Sequence, residues 1–290
     1  MTRPRRLVYL GTPEVAVPPL EALAASGFEI AAVVTRVDKR RGRGSALTPS
    51  PVKAAATALG LPVVHRVDDV LDIHATNPVD LGVVVAFGQL IRPHVLDAIP
   101  MVNLHFSLLP RWRGAAPVER ALLAGDTSTG VCLMRLEEGL DTGPVHGCVE
   151  APIRDDDTLD SLRGRLVELG TELLISQLEA GLSPPTAQSG EPTYAAKITP
   201  DDLHLDWAQP AIVRHRVVRL GGAWTSFRGK RLKVVEAELL DPGATGDQLE
   251  EDPGVVGGLR LVRVQPEGRA TMSFRDFANG VRPQVGERVG

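Results

Sequence analysis

Met101–Pro117 reads MVNLHFSLLPRWRGAAP, and this stretch decides the fold that the sequence predicts. It follows a continuous apolar run over Leu81–Ala86, and its first residues alternate apolar side chains with polar Asn103 and His105. Alternation with a period of two is typical of a β-strand. Since side chains two positions apart lie on one face of a strand, the stretch predicts a strand that presents an amide and an imidazole together.

Asn103 and His105 are residue types that suit acyl transfer. An asparagine amide can donate to a developing oxyanion, and a histidine can move a proton near neutral pH. Asp141, within the GLDTG of Gly139–Gly143, could fix the tautomer of the imidazole. A histidine on a strand is more often structural, however, and Asp-Thr-Gly is also ordinary turn sequence. The residues alone leave both interpretations open.

The start of the chain predicts a parallel sheet. Arg6–Leu10 is a short apolar strand, Gly11 turns it into a helical pattern, and Ile30–Val34 is a second strand. A βαβ opening of this kind indicates an α/β fold. Its turn lacks the G-x-G-x-x-G pattern of dinucleotide sites, which argues against a nicotinamide enzyme. The turn Phe87–Leu90 follows the buried strand at the edge where open parallel sheets bind ligands.

Length and composition restrict the class of protein. A chain of 290 residues suits one large or two modest domains. No apolar run approaches the length of a membrane span, so we expect a cytoplasmic protein. The two cysteines, Cys132 and Cys148, lie in apolar strand-like sequence without the spacing of metal ligands. We therefore expect two buried free thiols rather than a disulfide.

A change of composition predicts a domain boundary. Leu182–Pro192, LSPPTAQSGEP, resembles a linker. We expect an α/β domain with a parallel sheet over residues 1–185, a linker over 186–206, and a small C-terminal β-barrel over 207–290. The last region contains one helical pattern and several short β runs separated by turn residues, and this pattern favours a barrel.

Basic residues are concentrated in two places, although the net charge is −4. Arg36–Arg43 reads RVDKRRGR, and Arg214–Lys233 is a second basic stretch. A mildly acidic protein with a locally basic face fits a partner that is recognised by shape, such as a folded RNA. A single charged run is more often a solvated surface, so this interpretation also stays open on the residues alone.

Several motifs carry a resemblance to the methionyl-tRNA formyltransferase family, within the folate-dependent formyltransferases. The likeness runs from about residue 7 to residue 181 and continues more loosely to the end. The motifs that resemble the family are Gly11-Thr-Pro13, Pro49-Ser-Pro-Val-Lys53, Asn103-x-His105, Ser107-Leu-Leu-Pro110, Arg111-Trp-Arg-Gly-Ala-Ala-Pro117 and Gly139-Leu-Asp-Thr-Gly143.

The resemblance implies a Rossmann-like formyltransferase domain followed by an OB-like barrel. It implies transfer of a formyl group from 10-formyltetrahydrofolate to the α-amino group of initiator methionyl-tRNA, without a metal. In this scheme Asn103 and His105 stabilise the oxyanion, while Asp141 orients His105 and assists proton transfer. A monomer is expected.

The resemblance also implies binding residues. Folate would lie along Phe87, Gly88, Gln89, Leu90, Ser107, Leu108, Leu109 and Pro110. The tRNA would contact Arg36, Lys39, Arg40, Arg41, Arg43, Lys230 and Arg231. The chain departs from the family at two positions, because the family more often has tyrosine at Phe87 and a small residue at Phe106.

Two other functions remain under consideration. A sugar-nucleotide or other small-amine N-formyltransferase would share Asn103, His105 and Asp141 and use the same folate donor. A folate- or RNA-binding protein without catalysis would not need these three side chains together. The basic loop and the basic barrel argue against the first function, and the presence of Asn103, His105 and Asp141 argues against the second.

Overall fold

The computed structural model describes residues 3–40 and 47–290. Its strands are β1 Arg6–Gly11, β2 Glu29–Val34, β3 Lys39–Arg40, β4 Leu47–Thr48, β5 Val63–Val64, β6 Leu81–Val85, β7 Met101–His105, β8 Arg113–Gly114, β9 Ser128–Arg135, β10 Val145–Pro152, β11 Tyr194–Ala195, β12 Trp224–Phe227, β13 Lys230–Leu239, β14 Val255–Val256, β15 Leu259–Pro266 and β16 Met272–Ser273. Its α-helices are α1 Val17–Ala25, α2 Pro51–Ala58, α3 Asp69–Thr76, α4 Pro93–Ala98, α5 Pro117–Ala124, α6 Leu159–Ala180, α7 Ala211–Arg219 and α8 Phe274–Val281. Short 3-10 helices cover Glu14–Ala16 and Asp201–Leu203.

A seven-stranded sheet with the order β10-β9-β7-β6-β1-β2-β5 forms the centre of the fold. The strands from β7 to β5 in this order are parallel, and β9 and β10 extend the sheet in antiparallel pairing. All five residues of β6 are buried, as expected for a parallel strand that is covered on both faces. The predicted α/β fold with a parallel sheet is confirmed.

Apolar packing fixes this sheet. On one face Val8, Leu10, Val34 and Val84 join the ring of Phe87 in one buried cluster. Burying a side chain of this size stabilises the fold by about 1.5–3 kcal/mol. Tyr9 is fully buried, its hydroxyl donates to the carbonyl of Ala16, and burial raises the pKa of its phenol well above the ordinary value.

The chain divides into two compact units. Unit 1 comprises residues 1–117, 128–152 and 163–195, and unit 2 comprises residues 118–127, 153–162 and 196–290. Unit 2 contains an antiparallel sheet with the order β12-β13-β15-β14, and β16 pairs with β15. The predicted small C-terminal β domain is confirmed. Among the described residues, no helix is both long and apolar enough to span a membrane.

The C-terminal helix α8 was not predicted. The sequence predicts one helix among short β runs in this region, whereas the structure has α7 and also α8, which directly follows the two-residue strand β16. Ser273 caps α8, because its hydroxyl accepts a hydrogen bond from the Asp276 N–H at 3.1 Å. Phe274 and Phe277 are buried in the core of unit 2, so a short apolar pattern at helical spacing was present in the sequence.

Cys132 and Cys148 form a disulfide, so the expectation of two free thiols is wrong. The two residues lie directly opposite each other in β9 and β10, and their Cα atoms are 4.1 Å apart. Cys132 is fully buried, whereas Cys148 is exposed. The register of two neighbouring strands brings the sulfurs together, and the spacing of the cysteines in the sequence does not show that register.

The disulfide predicts a measurable gain in stability. It closes a segment with a sequence separation of 16 residues, for which a loop-closure model gives about 3 kcal/mol. Cys148→Ser should therefore lower the free energy of unfolding in urea by up to about 3 kcal/mol. Cys132→Ser is the matched variant and should lose at least as much. A denatured chain that takes up two equivalents of an alkylating reagent without prior reduction would contradict the disulfide.

Candidate active site

Strand β7 places Asn103 and His105 close to the carboxyl edge of the parallel strands. Asn103 pairs with Val84 of β6 on one side and with Met134 of β9 on the other, and His105 lies opposite Cys132. His105 is only 5% exposed. The two polar side chains share one face of a buried strand, at the edge where open α/β sheets bind their ligands.

His105 has an acceptor on each side of its ring. Its Nε2 lies 2.9 Å from the carbonyl oxygen of Trp112. Because a carbonyl oxygen only accepts hydrogen bonds, Nε2 carries the proton, and the neutral ring has its lone pair at Nδ1. Nδ1 lies 3.6 Å from Oδ2 of Asp141, and the side chains are 6% and 13% exposed. This separation is too long for a direct hydrogen bond but close enough for the carboxylate to stabilise an imidazolium.

Asp141 lies in the loop that joins β9 to β10. Its Oδ2 accepts a hydrogen bond from the backbone N–H of Gly114 at 2.8 Å. The residue has φ +49°, in the left-handed region that non-glycine residues seldom adopt. The loop also approaches β9 closely, since a Cβ at Gly143 would overlap the carbonyl oxygen of Arg135. The structure therefore brings the predicted acid beside the predicted imidazole.

The side chain of Asn103 is partly exposed. Within residues 3–40 and 47–290 its amide makes no hydrogen bond to another side chain or to the backbone. An amide with two N–H donors at the edge of the site can therefore donate to a ligand without breaking a contact within the described protein.

The predicted folate residues after β7 differ in their access to a ligand. Ser107 is fully buried, and its hydroxyl donates to the carbonyl of Arg111 at 2.6 Å. Its side chain therefore stabilises the loop. Leu108, Leu109 and Pro110 are partly exposed. These three residues form the part of this motif that a ligand can reach.

The predicted folate residues after β6 also differ in their exposure. Phe87 is 3% exposed, and its ring packs into the apolar cluster of the sheet. Gly88, Gln89 and Leu90 are exposed, and Leu90 is 80% exposed. Beside them lies a cavity of about 400 Å³ that is lined by His65, Arg66, Val67, Asp68, Gln89, Leu90 and Arg92.

The first basic stretch forms the base of a hairpin. Strand β3 contains Lys39 and Arg40 and pairs with β4, and the side chains of Arg36 and Lys39 are exposed. Arg41 and Arg43 lie outside the described residues. The hairpin is anchored by the PSPVK motif, because Lys53 Nζ lies 2.8 Å from both carboxylate oxygens of Asp38.

Only some residues of the second basic stretch are exposed. Lys230 and Arg231 are exposed at the start of β13, and the Arg231 guanidinium lies 4.4 Å from the ring centroid of Trp224. Arg214, by contrast, is 1% exposed. Its guanidinium donates to the carbonyls of Gln209, Ala244 and Gly257. Arg228 is paired with Glu287, and this pairing lowers the pKa of that carboxyl to about 2.

Several residues that hold the site were not predicted. Trp112 and Gly114 act through their backbone, which a side-chain motif does not reveal. Gln188 lies in the segment that resembled a linker, and its side chain contacts the loop of Asp141. The proximity of Gln188 to the site has no signal in the composition of that segment. In the described part of the chain, no three His, Cys, Asp or Glu side chains are arranged to hold a metal ion.

Comparison with known proteins shows which family the sequence matches. The formyl transferase family matches residues 5–178, and the formyl transferase C-terminal domain matches residues 197–282. The methionyl-tRNA formyltransferase of Methylobacterium nodulans is 42% identical over 308 residues, covering 99% of each chain. The enzyme of that name from Thermobifida fusca is 44% identical and covers 98% of this chain and 99% of its own.

A solved structure shares the fold. The N-formyltransferase of Helicobacter canadensis, solved with folinic acid and dTDP-3-aminofucose, has a TM-score of 0.66 at 17% identity and covers 90% of this chain and 99% of its own. The sequence matches span nearly the full length of the chain. The chain therefore belongs to the formyl transferase family and, within it, to the methionyl-tRNA formyltransferases.

Proposed function

We propose that this protein transfers the formyl group of 10-formyltetrahydrofolate to the α-amino group of initiator methionyl-tRNA, and so acts in translation initiation. One observation carries the proposal: the Nδ1 edge of His105 faces Asp141 at 3.6 Å, and Asn103 lies two residues before His105 on the same strand. The extensive identity to enzymes named for this reaction supports the choice of donor and acceptor.

The first step is attack of the neutral α-amine on the formyl carbon. A carbon–nitrogen bond forms, and the carbonyl electrons move to oxygen to give a tetrahedral oxyanion. The Asn103 amide donates to this oxyanion. A protonated His105 donates from Nδ1, which makes no direct hydrogen bond to Asp141 at 3.6 Å. Removing one such donor typically costs about 2.7–4 kcal/mol of barrier stabilisation.

The second step breaks the bond between the formyl carbon and N10 of the folate. The amine loses one proton as its new bond forms, and N10 gains one as it leaves, so the proton count balances. Asp141 stabilises the imidazolium and relays the proton between the two nitrogens through water. The products are formyl-methionyl-tRNA and tetrahydrofolate.

We assign the binding roles from the exposure of the residues that the structure describes. We place folate along residues 88–90 and 108–110, where Leu90 and Pro110 are accessible. We place the acceptor end of the tRNA on the basic stretch Arg36–Arg43, and its phosphates on Lys230 and Arg231. The catalytic region is residues 1–185, and residues 207–290 contact tRNA. We infer that the protein acts in the cytoplasm, where charged tRNA is used, and that it is a monomer.

A sugar-nucleotide or small-amine N-formyltransferase is the alternative. The Helicobacter canadensis structure shares the fold, but the exposed basic residues of the hairpin and of β13 favour a polyanionic acceptor. The test is a formyl-transfer assay with charged initiator tRNA, a dTDP-amino sugar and no acceptor. We expect product only with tRNA. Transfer to the sugar alone would favour the alternative, and no transfer to either would contradict both.

His105→Ala and Asp141→Asn should each lower kcat, because the first removes the imidazole and the second removes the charge that stabilises it. For His105→Ala we expect a loss of about 10²–10³-fold, the effect of one oxyanion donor. Folate affinity, measured by fluorescence titration, should change little. His94→Ala is the matched control, since His94 also pairs with an aspartate, Asp68, but at the surface. Wild-type turnover in either site variant would rule out the role of that residue.

Arg43→Ala and Arg231→Ala should raise KM for tRNA much more than KM for folate, because each removes a positive charge proposed to contact the polyanion. Steady-state kinetics with each substrate varied in turn measure the two constants. Arg260→Ala is the control, since this arginine of β15 already pairs with Asp252 at 2.6 Å. An equal rise in both KM values would exclude the proposed tRNA contact.

A further inference from the structure

Gln188 contacts the backbone of the loop that contains Asp141. Its side-chain Nε2 donates to the carbonyl of Asp141 at 2.8 Å and to the carbonyl of Gly143 at 2.8 Å. A primary amide has two N–H donors, so both are used on this loop. Two bonds from one planar group fix the orientation of the loop as well as its distance.

Arg113 fixes Gln188 in turn. The Nε and Nη2 of Arg113 donate to Oε1 of Gln188 at 3.1 and 2.7 Å. A guanidinium on the oxygen of an amide polarises the group and strengthens its N–H donors. The contacts at both ends of the amide also fix which end is oxygen, because Arg113 only donates and the carbonyls of the loop only accept.

A further contact means that Asp141 is held at two points. Gly114, next to Arg113 in β8, donates its backbone N–H to Oδ2 of Asp141. Gly114 thus holds the carboxylate of Asp141. Gln188, which is itself bound by Arg113, holds the backbone carbonyl of Asp141. Arg113 and Gly114 together make up the two-residue strand β8, and β11 pairs with that strand at Tyr194–Ala195.

The loop requires such support. Asp141 has φ +49°, a conformation that non-glycine residues seldom adopt. Gly139 and Gly143 flank it, and glycines lower the barrier to other backbone conformations. Without outside contacts, the loop would populate arrangements in which the carboxylate leaves the imidazole.

We propose that Gln188 is a positioning residue: it holds Asp141 against His105 and thereby sets the turnover of the enzyme without touching either substrate. The inference rests on the proposed function of Asp141. It assigns a role in catalysis to the segment after α6, which the composition suggested was a linker. That segment is joined to the sheet by two backbone hydrogen bonds between Thr186 and Val145, two residues before Gln188.

The experiment measures kcat and KM for Gln188→Met, Gln188→Glu, Asp141→Asn and the double variant Gln188→Met/Asp141→Asn. Methionine has a similar length but makes none of the four bonds. Glutamate can still accept from Arg113 but cannot donate to the two carbonyls. Gln177→Met is the control, because Gln177 also binds this segment, accepting from the Ser183 N–H at 3.0 Å, but has no contact with the loop.

We expect both Gln188 variants to lower kcat about tenfold or more, as loss of a group that orients an active-site residue commonly does, with KM for tRNA and for folate unchanged. On the Asp141→Asn background, Gln188→Met should cause no further loss, because the charge that it positions is gone. Gln177→Met should keep wild-type kinetics, and thermal melts should find all the variants folded.

Distinct outcomes would overturn the proposal. Wild-type kcat in Gln188→Met beside a poorly active Asp141→Asn would exclude the role of Gln188 and leave the proposed function intact. A loss that multiplies with that of Asp141→Asn, or a rise in KM without a fall in kcat, would also exclude it. Wild-type kcat in Asp141→Asn would remove the proposed acid and the positioning role together.

Discussion

The site depends on two backbone groups of one loop. The carbonyl of Trp112 accepts from His105 at 2.9 Å, and the N–H of Gly114 donates to Asp141 at 2.8 Å. Trp112 has φ +61° and Gly114 has φ +120°, so the chain turns sharply between them. Two backbone groups therefore help to fix the separation of imidazole and carboxylate, together with the side chain of Gln188.

Further hydrogen bonds within unit 1 hold that loop. The Trp112 N–H donates to the hydroxyl of Thr193, and the Arg113 N–H donates to its carbonyl, each at 2.9 Å. The site thus consists of a strand, two loops and a later segment that meet from distant parts of the chain. The buried parallel strands supply rigidity, and the segment after α6 contributes contacts that the strands cannot reach.

The sequence predicted those features that depend on local periodicity. The apolar runs gave the strands, and the two-residue spacing of Asn103 and His105 placed both on one face of β7. The approach of Asp141 depends on a loop 36 positions further along the chain, and only the family resemblance indicated it. The disulfide was missed because it depends on strand register. Gln188 was missed because a segment rich in Pro, Ser and Gly has the composition of a linker whether or not it packs on a site.

The protonation of the His105 ring tests the central claim most directly. Long-range ¹H–¹⁵N correlation spectra of selectively labelled protein distinguish the two ring nitrogens. If the Trp112 carbonyl and Asp141 flank the ring as described, the neutral ring carries its proton on Nε2, and Nδ1 is the nitrogen without a proton. A neutral ring with its proton on Nδ1 and a bare Nε2 would mean that the Trp112 carbonyl does not hold the imidazole, and the account of the site would fail.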